Sequence, residues 1–176
     1  MNKLTIRAAA AELGVAPSVV QRLGQTGLLT SPAAQIDAEY VEALRVRRPL
    51  VFRGRDLPLR VQVVSLGPPQ CLTSQESSID GAWREWIGFH TSWSSQRRLD
   101  AARGWWWNPS PSPDLIVATA PGGFVVGAYS VIGIDAQAPG KLVRYAVSRD
   151  EGIESYATTM RIKSARGPTA RVIDFV

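Results

Sequence analysis

Apolar side chains recur at helical spacing through residues 6–25, IRAAAAELGVAPSVVQRLGQ, with a single interruption at Gly14. That pattern predicts two short helices joined by a glycine turn, the grammar of a helix-turn-helix. Ala9 and Ala10 place small side chains where a second helix must cross closely, and Gly14 can take the positive φ that ends the first helix. Pro17 suits the first turn of the second helix, where its missing N–H costs nothing. The buried face begins at Val15 and resumes at Val20 and Leu23, which leaves Ala16, Ser18, Gln21 and Arg22 pointing outward. A plain helical hairpin with no DNA role would carry the same pattern. A third helix is expected over residues 36–44, with Tyr40, Val41 and Leu44 at helical spacing and Asp37 near its start. Arg47-Arg48-Pro49 should end it, because the residue before proline is pushed out of the α region.

The texture then changes. Residues 59–66, LRVQVVSL, read as a strand stopped by Gly67-Pro68-Pro69, and residues 73–78 read as a polar loop. Asp80 could cap a helix through Trp83, Trp86, Ile87, His90 and Trp93, whose spacing would give one aromatic face. A further helix is expected over 95–103, closed by Gly104. Trp105-Trp106-Trp107 leads into the proline-broken loop NPSPSP. From Asp114 the chain becomes β: LIVATA, a Pro121-Gly122-Gly123 turn, then FVVGAYSVIGI. Residues 142–147 and 171–176 offer two more strands, and 156–162 is ambiguous between strand and short helix. The expected class is α+β: a small N-terminal helix-turn-helix followed by a mixed or barrel-like sheet with two helices. The division would be 1–48, a basic linker at 49–58, and a Trp-rich domain at 59–176.

The segment LTIRAAAAELGVAPSVVQRLGQTGLL resembles the opening of MerR and excisionase-like winged-helix domains. The resemblance implies that the second helix enters the major groove, that Pro17, Ser18, Gln21 and Arg22 lie at the recognition surface, and that residues 30–35 form a short wing. The order RGWWW, proline-rich loop, LIVATA and GGFVVGAYSVIGI is similar to PUA-like domains of the EVE and ASCH types. By position it implies Trp105, Trp106, Trp107 and Tyr129 as the walls of an aromatic pocket for RNA or a modified base.

The formal charge of +5 is unevenly placed: residues 1–60 hold nine basic and five acidic side chains, residues 61–176 eleven and ten. Arg45, Arg47, Arg48, Arg53 and Arg55, with Arg60 beyond them, crowd the exit of the helical segment against the single acid Asp56. Such a strip can contact phosphates and release counterions, or it can be a solvated linker. Arginine outnumbers lysine 17 to 3, which suits bidentate phosphate or guanine contacts and equally suits a GC-rich genome.

All six tryptophans fall between residues 83 and 107. Stacked indoles can hold a base out of its helix at about 1–3 kcal/mol per base, and they can equally be core. Neighbouring side chains of an extended segment point to opposite faces, so Trp106 must differ from Trp105 and Trp107 in its surroundings. One cysteine, Cys71, and one histidine, His90, give no zinc-ligand set. Asp100 and Arg103 read as a surface pair, and Asp150-Glu151 as a turn.

No catalytic residue, metal or cofactor is assigned, and an enzyme is not expected. No apolar run approaches the ~18 residues of a membrane span, and no leader segment is evident, so a cytoplasmic, nucleoid-associated location is expected. The expected function is a DNA-binding, sequence-specific transcriptional regulator whose C-terminal part binds a ligand, a base or a partner. The alternatives are a reader of modified DNA or flipped bases in host defence, and a protein-interaction module. The partner would be double-stranded DNA, with a modified base or small aromatic ligand. A homodimer is expected, because binders of this type pair two recognition helices about 34 Å apart.

Overall fold

The computed structural model describes residues 2–29, 35–52, 59–72, 86–109, 111–162 and 170–175. Strand β1 (Lys3–Thr5) leads directly into α1 (Ile6–Leu13), whose first turn is capped by the Thr5 hydroxyl accepting from the Ala8 N–H at 3.2 Å. Gly14 takes φ +62 and closes the helix, its N–H bonding back to the carbonyls of Ala10 and Ala11. Helix α2 (Pro17–Gln25) starts on its proline and buries Val20 and Leu23. Strand β2 (Gln35–Asp37) pairs antiparallel with β1, and α3 (Ala38–Arg45) follows. The third helix thus begins two residues later than its apolar spacing suggests, because Ile36 is in a strand. Tyr40 is exposed, and the buried face is carried by Val41 and Leu44. Residues 30–34, most of the expected wing, lie outside the described residues.

Most of the rest, among the described residues, is an eight-stranded sheet with helices on both faces. Strands β3 (Arg48–Pro49) and β4 (Leu59–Ser65) enter it first, β5 (Gln70–Cys71) pairs separately with β6 (Trp86–Ile87), and α4 (Ser95–Arg103) is capped by Ser94 accepting from Arg97 N–H. Strands β7 (Trp106–Trp107), β8 (Leu115–Ala120), β9 (Phe124–Ala138) and β10 (Leu142–Arg149) follow, then α5 (Glu151–Thr158), β11 (Met160–Arg161) and β12 (Ala170–Phe175). The main order is β12-β4-β8-β9-β10-β7, with β11 joining β9 to β3. Among the described residues only β4–β8 and β11–β3 are parallel. The class is mixed α+β, and no pairing joins β12 to β7 among the described residues.

Alternation divides the sheet's residues between two cores. Val61, Val63, Leu115, Val117 and Val125 face α5 through Ile153 and Ala157. Val64, Ile116, Ala118, Val126 and Tyr145 face the other way and share a single cluster with α4 and with Ala9, Leu13, Val20, Leu23 and Leu44 of the N-terminal helices. With both faces covered, all six residues of β8 are buried. Two charged side chains fasten the N-terminal helices to the sheet. Arg161 donates from Nε to the Gly122 carbonyl (3.0 Å) and from Nη1 to the Leu13 carbonyl (2.8 Å), with its guanidinium 4.5 Å from the centre of the Phe124 ring. Arg47 donates to the Val125 carbonyl (2.8 Å) and lies 5.8 Å from the same ring.

The aromatic helix expected up to Trp93 is not formed over its described part. Trp86 and Ile87 pair as a strand with Cys71 and Gln70, and Gly88 at φ +90 turns the chain out of any helix. His90 sits in the following turn, where its Nδ1 accepts from the Ser92 N–H at 3.1 Å. The second helix of the sheet region is instead α5, which begins where Asp150-Glu151 was expected as a turn, with Asp150 as its N-cap; it takes only 156–158 of the ambiguous segment before β11 follows. Trp83 lies outside the described residues.

Candidate nucleic-acid and ligand site

Because β4 and β8 run parallel, their C-terminal ends open at the same place. A cavity of about 640 Å³ forms there, floored by Ser65-Leu66-Gly67 and by Ala120 with the Pro121–Gly123 turn. Helix α2 contributes Val19 and Arg22 to its lining, and the end of α4 with its exit contributes Ala101, Trp105 and Trp106. Pro68, Gln70, Ile87 and Gly88 complete the rim.

The turn explains how α2 can come so close. Gly122 has φ +81, and a Cβ there would lie 2.9 Å from Phe124 Cε2 and 3.1 Å from Val19 Cγ1. Glycine is thus required both by the backbone conformation and by the space. Arg161 holds the same residue through its carbonyl. On the other side, Leu66 N–H donates to the Thr119 carbonyl at 2.7 Å and Phe89 N–H to the Gly67 carbonyl at 3.0 Å, so the floor is fixed by backbone bonds.

The three consecutive indoles have three different fates. Trp106 donates from Nε1 to the Ala102 carbonyl at 2.6 Å, which ties it to the last turn of α4. Trp107 is 56% exposed on strand β7 and does not line the cavity. Trp105 lines the cavity, its ring 5.8 Å from the Arg144 guanidinium, and its Nε1 is buried without a hydrogen-bond partner among the described residues. Trp86 and Trp93 are both taken up by Arg97, whose guanidinium lies 5.7 and 5.1 Å from their rings.

Tyr129 is not a pocket residue. It is 1% exposed within the core shared with the N-terminal helices, and burial, reinforced by the Glu154 charge, holds its hydroxyl well above the ordinary tyrosine range. Alternation along β9 turns it inward. A second core tyrosine, Tyr145, places its hydroxyl 3.0 Å from Gln62 Oε1 and 3.1 Å from Asn108 Oδ1, and burial pushes its pKa up to about 12.

On α2, Pro17, Ser18 and Gln21 are exposed, while Arg22 reaches over the end of β4, its Nη2 lying 3.4 Å from where a Gly67 Cβ would stand. Arg22 has no hydrogen bond or ion pair among the described residues. The arginine strip is not continuous. Arg45 is engaged by Glu42 at 2.6 Å, and Arg47 is turned inward to Val125, where burial lowers its pKa without discharging it. Arg48 is exposed on β3; Arg53 and Arg55 lie outside the described residues. Arg47 is thus removed from the phosphate-contacting set by its own carbonyl partner.

No family model, curated protein or solved structure matches the chain. The site therefore stands on its own geometry. Sequence reasoning marked Arg22, Trp105 and Trp106 and missed Val19, Ser65, Gly67, Arg161 and the role of the 121–123 turn. The Gly-Gly pair was the available signal, since both residues take a positive φ in this turn. Among the described residues no three His, Cys, Asp or Glu side chains cluster as metal ligands, and no helix is long and apolar enough to cross a membrane.

Proposed function

We propose that this protein binds DNA and reads a base drawn out of the stack into the cavity between α2 and the indoles. The observation that carries the reading is that Arg22, the one charged side chain on the outward face of α2, lies on the rim of a cavity walled by Trp105 and Trp106. Extruding a base costs a few kcal/mol, least where pairing is already weakened, and stacking on indoles returns ~1–3 kcal/mol per base. A volume of about 640 Å³ falls within the range of small-ligand sites and leaves room for a nucleotide. The exposed Ser18 and Gln21, with Arg48, would then hold the neighbouring duplex.

Sequence-specific regulation through insertion of α2 into a groove is less well supported, because Val19 and Arg22 are flanked by the Pro121–Gly123 turn. That same contact favours a second reading, a regulator whose α2 is repositioned by a small aromatic ligand in the cavity. Sequencing of genomic DNA retained by the protein, beside an amplified copy stripped of modifications, separates the readings. Enrichment from native DNA alone is the expected result, lost in Arg22→Ala. Equal enrichment of discrete sites from both would replace base reading with sequence reading. No retention of either would refute DNA binding.

A further inference from the structure

We infer that the cavity takes an anionic ligand of the nucleoside 5′-monophosphate class, with the phosphate on Arg22 and the base against the indoles of Trp105 and Trp106. The inference deepens the base-reading proposal and rests on it.

The charged donor of the lining is unspent. Arg22 offers a five-donor fork with no hydrogen bond or ion pair among the described residues, although carboxylates engage Arg45, Arg60, Arg103, Arg144 and Arg149 elsewhere in the molecule. The adjacent Trp106 indole is held by its own Nε1 on the Ala102 carbonyl at 2.6 Å, which fixes one wall against which a flat ring can lie. No carboxylate lines the cavity among the described residues, so an anion meets no opposing charge there, and Ser65 and Gln70 add neutral polar contacts. Arginine at the mouth suits the planar, bidentate geometry of a phosphate, and the indole walls suit a flat heterocycle.

The full chain is titrated by calorimetry with thymidine, thymidine 5′-monophosphate, the matching adenosine pair and inorganic phosphate. Each monophosphate is expected to bind about tenfold or more tightly than its nucleoside, with the gap closing as salt rises. Arg22→Gln, at an exposed position, should erase the gap between monophosphate and nucleoside. Trp105→Ala, which removes the indole from the lining, should weaken nucleoside and monophosphate together by about fivefold or more. Equal binding of nucleoside and monophosphate, or a gap that survives Arg22→Gln, overturns the phosphate assignment while base reading stands. Inorganic phosphate binding as tightly as the monophosphates overturns the base half, and no binding of any of these probes overturns both proposals.

Discussion

Replacing Arg161 with alanine should loosen the N-terminal helices from the sheet and damage the cavity together. The side chain satisfies the Leu13 carbonyl at the end of α1 and the Gly122 carbonyl at the cavity floor while covering the Phe124 ring. A hydrogen bond from a charged donor contributes ~1.5–3 kcal/mol, and a cation over a ring ~0.5–2 kcal/mol. Arg161 is only partly buried, so these figures need discounting for solvent screening, and a loss of ~2–4 kcal/mol is expected. For a chain of this size each kcal/mol moves the midpoint by ~2–4 °C, so Tm should fall by ~5–15 °C in a melt followed by circular dichroism. Because the hydrophobic cluster runs from α1 into the sheet, the melt should remain a single transition. Arg161→Lys keeps the charge but lacks the fork and should recover at most half of the loss. A Tm within ~2 °C of the parent, given that midpoint sensitivity, would refute the idea that this side chain joins the two parts.

Gly122→Ala should cost ~2–4 kcal/mol, from a left-handed φ and from crowding of Val19 and Phe124, and should weaken ligand binding in the same titrations. A neutral effect on both would mean that the turn is not pinned. Tyr145 has a folded pKa of about 12, above its unfolded value near 10. Folding therefore favours the protonated hydroxyl, and this contribution is complete below pH ~10 and lost as pH rises toward 12. Tyr145→Phe should lower stability at neutral pH by ~1–2 kcal/mol, stranding the buried Gln62, yet flatten the alkaline decline measured by denaturant titration at successive pH values. Asp150→Ala removes the cap that accepts the Ile153 N–H at 3.1 Å and should cost ~1 kcal/mol, read as an earlier urea midpoint; an unchanged midpoint would show that α5 does not depend on it.

Local rules carried much of the fold. Gly14 and Pro17 marked the turn between the first two helices, Ser95–Arg103 formed as expected up to Gly104, and LIVATA with FVVGAYSVIGI made the central hairpin. The aromatic spacing between Trp86 and Trp93 misled because three- and four-residue intervals also arise when separate backbone segments pack on one side chain, here Arg97. Gly88 was the contrary signal within that window. For the site, Arg22, Trp105 and Trp106 were legible as residue types suited to bases and phosphates. Arg161 was not, since its carbonyl partner Leu13 lies far away in the chain and no local window contains both. Nor was the inward turn of Arg47, whose partner Val125 is equally remote.

The pairing of β12 with β4 has a bearing on how the chain is made. Phe175 through Ala170 register against Leu59 through Val64, so the strand that completes this flank of the sheet leaves the ribosome long after the strand it covers. Until it arrives, β4 carries an open row of N–H and C=O groups beside Val61 and Val63, the kind of edge that recruits other chains. Nascent chains stalled before residue 170 should therefore be more aggregation-prone than the finished protein, in which β4 is paired on both sides.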